Sequence, residues 1–269
     1  GRKIAYRTLG LTTGVPMIML IHFRGNMDTW DPILINRLAQ DRPLILMDSP
    51  GTGRSEGPVP DTYPGWAEFA AGLVKYLGHE KVDVMGWSMS GLVAESFAVF
   101  HPELVRKLLL VGTSAPMNPE FVAGELPYFI ELSNADGEEA YKLAHEHTFW
   151  PPTAQGKANA DASWERIMSR RADDRQPVLT AEAANAQTTS YMNWIADETL
   201  WEKLKALTIP VFIANGNDDL LTPTVNSWVM VRNIKNSYLH IYPEAGHAFL
   251  YQHYELFSKH VGLFLDGDY

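Results

Sequence analysis

The chain has 269 residues, of which 46% are hydrophobic and 20% charged, and these values are ordinary for one globular enzyme domain that carries an insert. The formal net charge of −10 argues against nucleic acid as a partner, since phosphate backbones are bound by basic surfaces. The sequence contains no cysteine, which excludes disulfides, thiolate catalysis and cysteine-bound zinc. We expect no metal site and no cofactor.

The location of the protein is only weakly constrained by the sequence. No run approaches eighteen consecutive apolar residues, so we expect no membrane span. No charged-then-apolar leader is visible, although a leader removed earlier would leave no trace. The lack of cysteine fits a reducing interior, and we expect a cytoplasmic monomer or homodimer, while a secreted protein without cysteine stays an alternative.

Residues 1–115 alternate between strand-like and helix-like segments. Helical spacing of apolar residues is found near residues 63–77 and 92–100. Short apolar runs of strand length surround these stretches, at residues 16–22, 43–48, 82–86 and 107–112. This alternation predicts a mostly parallel sheet flanked by helices, with right-handed crossovers.

The pattern changes between residues 116 and 200. Strand-like runs are absent there, alanine and charged residues increase, and helices are predicted at 138–149, 160–171 and 181–195. Strand patterning resumes further on, at residues 209–214 and 238–242, before a last amphipathic helix. We therefore predict an α/β core made of residues 1–115 and 201–269, interrupted by a helical cap at residues 116–200.

The most informative local motif is Gly-Trp-Ser-Met-Ser-Gly at residues 86–91. It follows an apolar strand and opens a helix, which is the setting of a nucleophilic serine on a sharp strand-to-helix turn. Such a turn requires small residues on both sides of the serine, and Gly86 and Ser90 meet that need, although Ser90 replaces the more usual glycine. We predict that Ser88 is the nucleophile.

A serine hydroxyl needs a neighbouring base, and His247 is the best placed of the nine histidines. It lies in a loop between the last predicted strand and the last helix. His22 ends an early strand, which suits a structural or oxyanion-loop role better than that of a base. His145 and His147 are expected to be solvated, because residues two apart on a helix do not share a face.

The base in turn needs a carboxylate that orients it. Asp218 and Asp219 both follow the strand predicted at residues 209–214. Asp219 has the better spacing, three residues after Gly216, whereas Asp218 could point to solvent. The resulting chain order of serine, aspartate and histidine is the order expected for an α/β-hydrolase fold.

With these residues the chain resembles the α/β-hydrolase superfamily over nearly its whole length. Ile-His-Phe-Arg-Gly at residues 21–25, with Trp30 beyond, is similar to the loop that supplies one oxyanion N–H in that family. Asp-Ser-Pro-Gly-Thr-Gly-Arg-Ser at residues 48–55 resembles the turn after the next strand, which we interpret as structural, with Arg54 in packing or an ion pair. The predicted insert falls where the family carries its cap.

The oxyanion loop departs from the family pattern. Phe23 stands where glycine is usual, and the interval from His22 to Trp30 is one residue shorter than expected. The resemblance implies an oxyanion hole made by the Met89 N–H together with the N–H of either Phe23 or Arg24.

The resemblance implies hydrolysis of a carboxylic ester or lactone through an acyl-enzyme. Because the cap is rich in aromatic residues and methionine, we expect a small apolar or aromatic substrate. The side chains expected to contact it are Trp87, His22, Trp150, Tyr191 and Trp194. In the alternative interpretation, most of these side chains only pack the cap onto the core.

Other reactions on the same fold stay open at this point. They are perhydrolysis, carbon–carbon bond hydrolysis and cofactor-independent oxygenation. A ligand receptor with slow turnover is the alternative from a different functional class.

Overall fold

A computed structural model describes residues 2–170, 173–179, 181–197 and 199–267. These residues form a seven-stranded sheet with the strand order β1-β3-β2-β4-β5-β6-β7. The strands are β1 (Tyr6–Gly10), β2 (Met17–Leu20), β3 (Pro43–Met47), β4 (Val82–Trp87), β5 (Val105–Val111), β6 (Val211–Gly216) and β7 (Ser237–Tyr242). Strands β2 to β7 pair in parallel, whereas β1 pairs antiparallel with β3.

The expected α/β fold with a mostly parallel sheet is confirmed. Each of the six apolar runs in the sequence contains or overlaps a strand of the sheet. Strand β1 was not predicted, and its burial pattern gives the reason: its residues alternate between exposed and half-buried at the sheet edge. A strand with one solvated side lacks the continuous apolar run that marks a strand covered on both faces.

Helices cover the sheet and form the insert. Around the sheet lie α1 (Pro32–Ala39), α2 (Tyr63–Tyr76), α3 (Met89–Phe100), α8 (Leu200–Lys205), α9 (Thr224–Asn233), α10 (Phe249–Gln252) and α11 (Tyr254–Asp266). The insert contains α4 (Leu126–Asn134), α5 (Glu138–Phe149), α6 (Ala154–Met168) and α7 (Ala181–Ile195). No helix of the described residues has the length and apolar character needed to cross a membrane.

Helices α5 and α7 have the predicted bounds, whereas α6 begins and ends earlier than predicted. Thr153 ends up as its N-cap, where the side chain accepts a hydrogen bond from the Gly156 N–H. The division of the chain after residues 115 and 200 stays a prediction. Residues 1, 171, 172, 180, 198, 268 and 269 of the predicted segments lie outside the described residues.

The core lies on both faces of the central strands. Every residue of β2, β4 and β6 is buried, as expected for parallel strands with helices on both sides. Because these strands run in parallel, their carboxyl ends lie along one edge of the sheet. In α/β sheets this edge is where ligands bind, and it carries the candidate site of this chain.

Candidate active site

Ser88 lies at the sharp turn between β4 and α3. Its backbone angles, φ 61° and ψ −128°, fall in a region that residues with a side chain seldom occupy. The Ser88 N–H donates to the Val111 carbonyl, and the Ser88 carbonyl accepts from the Gly91 N–H. These bonds hold the strained residue in place, so that Ser88 lines a cavity.

Small residues around Ser88 are required by close contacts. A Cβ atom on Gly86 would lie 2.1 Å from the Ser90 carbonyl oxygen, and one on Gly91 would lie 2.4 Å from the Thr113 side chain. Ser90 has a different task, because its hydroxyl donates a short hydrogen bond to the Ile21 carbonyl. The residue that replaces the usual glycine therefore ties this turn to the loop after β2.

His247 and Asp219 form a buried pair beside this turn. His247 Nδ1 lies 2.7 Å from Asp219 Oδ2, and both side chains are fully buried. Because a carboxylate only accepts hydrogen bonds, Nδ1 carries the proton and Nε2 is left as an acceptor. Nε2 has no partner among the described residues, and the Ser88 hydroxyl is not hydrogen-bonded to it. Such bonds are often long before substrate binds.

Asp219 is held by three further hydrogen bonds. Its Oδ1 accepts from the N–H groups of Leu221 and Thr222, each at 2.9 Å, and its Oδ2 accepts from the Thr222 hydroxyl at 2.8 Å. Asp218 is exposed, and its N–H donates to the Ala245 carbonyl. Of the two candidate carboxylates, the structure therefore brings Asp219 to the histidine.

Trp87 contacts the same histidine from the core. Its indole N–H donates to the His247 carbonyl at 3.3 Å, and its ring packs among His22, Phe149 and Tyr251. The side chain is completely buried and does not line the cavity beside Ser88. Since neighbouring residues at a strand end point to opposite faces, Trp87 points into the core while Ser88 faces the cavity.

The loop after β2 presents two backbone N–H groups that differ in their partners. The Arg24 N–H donates to Gln187 Oε1 on α7 at 2.8 Å. The Phe23 N–H has no hydrogen-bond partner among the described residues, and Phe23 lines the cavity. The N–H of Met89, in the first turn of α3, is likewise outside the helical ladder, and Met89 lines the same cavity.

The cavity beside Ser88 measures about 450 Å³ and lies between the sheet edge and the cap. Its wall is largely apolar and includes Phe23, Met89, Leu92, Phe129, Leu132 and Tyr191. Among its described lining residues there is no lysine, arginine or histidine, and Glu125 is the single carboxylate. The cavity suits an uncharged apolar ligand of small-molecule size.

Of the five side chains expected to contact substrate, Tyr191 alone lines this cavity. Trp194 is buried behind it and stacks on the Tyr191 ring at 5.9 Å. Trp150 follows α5 and borders a separate surface depression. Trp150 and Trp194 are therefore packing residues, as in the alternative interpretation, whereas Tyr191 lines the cavity together with Phe121 and Phe129.

The histidines of this region were only partly anticipated. His145 is buried and stacks on Phe149 at 4.2 Å, so the expectation that it is solvated is wrong. Burial lowers the pKa of His145 well below 6.5, with smaller contributions from His22 and His247. His147 is exposed and pairs with Glu131.

His22 is buried as well, and burial lowers its pKa to about 3. It is therefore neutral at ordinary pH and unsuited to act as a base there. Its Nδ1 N–H donates to the Phe23 carbonyl at 2.8 Å, so the ring braces the loop and does not enter the cavity.

The turn at residues 48–55 is built around a buried carboxylate. Asp48 accepts hydrogen bonds from the N–H groups of Met27 and Arg54, at 2.7 and 2.8 Å. The Arg54 guanidinium pairs with Asp28 and with Asp174. Arg54 thus joins the core to the segment before α7, and it does not line the cavity.

Comparison with known proteins identifies the family of this chain. The model of the family described as alpha/beta hydrolase fold matches residues 16–254. The chain belongs to this family. A solved alpha/beta hydrolase fold protein from Chitinophaga pinensis is similar over 100% of this chain and 95% of its own, with a TM-score of 0.87 and 28% identity.

Two relatives of this α/β hydrolase have named activities. The 2-hydroxymuconate semialdehyde hydrolase of Pseudomonas putida is 27% identical over 85% of this chain and 79% of its own length. The pimeloyl-[acyl-carrier protein] methyl ester esterase of Neisseria meningitidis is 29% identical over 94% of both chains. Hydrolysis is the activity that these relatives share.

Two residues of the site were missed in the sequence. Thr222 was not expected at the site, although it follows the predicted aspartate by three residues and its hydroxyl donates to that carboxylate. Gln187 carries no local signal, because its contact with the loop after β2 joins residues far apart in the chain.

Proposed function

We propose that this α/β hydrolase cleaves carboxylic esters or lactones of uncharged apolar molecules through an acyl-enzyme. The observation that carries the proposal is the buried His247–Asp219 hydrogen bond beside the turn that bears the strained Ser88, because in the neutral ring this bond places the proton on Nδ1 and leaves Nε2 as the acceptor. The methyl ester esterase among the relatives supports ester cleavage.

In the proposed reaction, Ser88 Oγ attacks the ester carbonyl carbon while His247 Nε2 takes the hydroxyl proton. His247 then donates this proton to the leaving alcohol, and the acyl group stays on Ser88. In the second half, His247 accepts a proton from water, which attacks the acyl carbonyl. The bond between the acyl carbon and Ser88 Oγ then breaks, His247 returns the proton to Oγ, and the acid leaves. Asp219 stabilises the imidazolium in both halves.

The oxyanion formed in each half is assigned to the N–H groups of Phe23 and Met89. Both residues line the cavity with Ser88, and the Arg24 N–H is excluded because it donates to Gln187. A donor of this kind contributes about 3 kcal/mol to transition-state stabilisation. Of the two alternatives in the sequence, Phe23 is thus the donor that we propose.

The lining of the cavity supports an uncharged substrate. A carboxylate on the acyl group would meet Glu125 and no cationic side chain among the described lining residues. Burying an unpaired charge in apolar surroundings is costly. Substrates with apolar acyl groups are therefore favoured over those with acidic ones.

Carbon–carbon bond hydrolysis is the second candidate. It is supported by the similarity to the 2-hydroxymuconate semialdehyde hydrolase, which covers 85% of this chain. The same three side chains could serve that reaction, so the chemistry alone does not separate the two.

The reaction is tested with p-nitrophenyl butyrate and p-nitrophenyl hemisuccinate, which match in length and differ by one carboxylate. We expect turnover of the butyrate, and kcat/KM about 10²-fold lower for the hemisuccinate. Equal values would contradict the argument from the cavity lining. If there is no ester turnover but an apolar ligand raises the Tm, a receptor is supported instead.

The role of Ser88 is tested separately. A fluorophosphonate should label the wild-type protein on Ser88, and Ser88→Ala should abolish both labelling and turnover. His247→Ala should lower kcat by several orders of magnitude with the fold intact. Exposed His147→Ala is the matched control, with turnover unchanged. Labelling that persists in Ser88→Ala would contradict the assignment.

A further inference from the structure

The proposed oxyanion donor belongs to a turn with an unfavourable residue at its third position. The Gly25 N–H donates to the His22 carbonyl at 3.0 Å, which closes a four-residue turn around Phe23 and Arg24. Arg24 has a φ of 65°, the pattern of a type II turn, in which glycine or asparagine is preferred at this position. The turn alone therefore does not favour the conformation that Arg24 adopts.

The side chain of Arg24 is anchored entirely in the cap. It is buried to 1% exposure, and its guanidinium donates to the carbonyls of Leu132 at 2.7 Å, Ser133 at 3.3 Å and Leu179 at 2.9 Å. It also lies over the Tyr141 ring at 5.2 Å. No carboxylate among the described residues accepts a hydrogen bond from it, so carbonyls and a ring hold this buried cation.

The backbone of Arg24 is anchored in the cap as well. Its N–H donates to Gln187 Oε1, and its carbonyl accepts from the Leu179 N–H at 3.3 Å. These contacts come from the end of α4, from the segment before α7 and from α7 itself. The cap thus holds both the backbone and the side chain of the residue that the turn disfavours.

The orientation of the turn decides where the Phe23 N–H points. A trans peptide directs its C=O and N–H to opposite sides, and the His22 carbonyl points into the turn toward Gly25. The Phe23 N–H therefore points out of the turn, and Phe23 is one of the residues that line the cavity. If the turn opened and the hydrogen bond between the His22 carbonyl and the Gly25 N–H were lost, the His22–Phe23 peptide could rotate and this N–H would be redirected.

We propose that Arg24 is a positioning residue that makes the oxyanion hole depend on the docked cap. The guanidinium and the Gln187 amide hold the left-handed conformation of Arg24. This conformation keeps the turn closed, and the closed turn keeps the Phe23 N–H in position for the reacting carbonyl. The inference rests on the proposed ester hydrolysis. Its consequence is that the site is complete only while the cap encloses the substrate.

A residue that only anchors the cap to the core should affect stability but not kcat when it is replaced. The cap contains such a residue, which serves for comparison. Arg166 on α6 pairs with the buried Asp31 at 2.6 Å, next to a hydrogen bond from Ser163. This contact joins cap and core as Arg24 does but does not touch the turn. Arg166→Met is therefore the matched control for Arg24→Met.

The test measures kcat and kcat/KM of Arg24→Met and Arg24→Gly for p-nitrophenyl acetate and p-nitrophenyl octanoate. Arg24→Met should lower kcat and kcat/KM by the same factor, about 10²-fold, as expected for an interaction made in the transition state. The loss should be equal for the two esters. Arg24→Gly loses the same side-chain contacts but prefers the left-handed conformation, so its kcat should fall at least fivefold less. Arg166→Met should lower the Tm and leave kcat unchanged.

Gln187→Leu gives an independent variant if Arg24→Met does not fold. It removes the acceptor of the Arg24 N–H, and we expect a smaller loss of kcat that is again equal for both esters. Ser190→Ala is its control, because this residue bonds the Pro60 carbonyl from the same helix without touching the turn. It should keep the wild-type kcat.

Several outcomes would overturn the proposal. These are wild-type kcat in Arg24→Met, an equal loss in Arg24→Met and Arg24→Gly, or a loss confined to KM or to the octanoate. Failure of the proposed function is recognised separately, because wild-type protein would then show no turnover that depends on Ser88. That result would remove ester hydrolysis and this inference together.

Discussion

Replacing Glu95 with glutamine should stabilise the protein, and the gain should grow with pH. Glu95 lies on α3 with no exposed surface, and neither carboxylate oxygen has a partner among the described residues. Burial raises the pKa of Glu95 well above its ordinary value of 4.5. The native carboxyl therefore stays protonated where that of the unfolded chain is ionised.

The sign and size of the effect follow from this difference. The unfolded chain releases the Glu95 proton as the pH rises above 4.5, while the native state keeps it, so unfolding is favoured by rising pH. Each pH unit over which this difference persists costs about 1.4 kcal/mol of the free energy of unfolding. This is large beside a total stability of about 5–15 kcal/mol.

The assay is urea unfolding of wild type and Glu95→Gln at pH 4.5, 5.5 and 6.5. The difference between the two should be smallest at the lowest pH, where the unfolded carboxyl is half ionised, and the variant should gain up to about 1.4 kcal/mol on the wild type with each further unit. The exposed Glu165→Gln is the control, with no pH-dependent gain. A difference between wild type and Glu95→Gln that is independent of pH would refute the reasoning.

Three further predictions concern the surroundings of the site. Thr222→Val removes a hydroxyl that donates to Asp219. The kcat/KM for p-nitrophenyl butyrate should fall about tenfold, which is the effect of one hydrogen bond to a charged group. A change below twofold would contradict this. Ser90→Gly removes the hydrogen bond to the Ile21 carbonyl and should lower the free energy of unfolding in urea by about 1–2 kcal/mol, whereas an unchanged value would mean that the bond contributes nothing. His22 has a native pKa of about 3 against 6.5 when unfolded, so the stability it contributes is present above pH 6.5 and lost as the pH falls toward 3. His22→Asn should therefore gain about 2 kcal/mol on the wild type between pH 6.5 and 4.5 in urea unfolding, and an unchanged difference would contradict the assignment.

The parts of the fold with a strong local signal could be predicted from the sequence. The central strands are continuous apolar runs because both of their faces are covered, and such runs are legible without any tertiary information. Strand β1 escaped prediction because it lies at the edge, where half of its residues face solvent. Its antiparallel pairing with β3 depends on contacts made by the folded sheet.

Side-chain direction is where the sequence was a poor guide to the site. Trp87 and Trp150 were expected at the substrate, but one points into the core and the other borders a separate depression. His145 was expected in solvent, but it is buried against Phe149. The same aromatic residue types serve in packing and in ligand binding, so residue type does not distinguish the two roles. The direction of each ring depends on how the helices pack.

The sequence by itself determined which chemistry this protein can carry. The sequence has a serine between small residues, followed along the chain by an aspartate and then a histidine. Each of the three follows its own apolar run, which places all three at one edge of a parallel sheet. The tertiary structure decided how they are arranged: that Asp219 and not Asp218 bonds His247, and that the Arg24 N–H is taken by Gln187. Local patterns specify strands, helices and turns, whereas these contacts join residues far apart in the chain and arise only when the cap packs on the core.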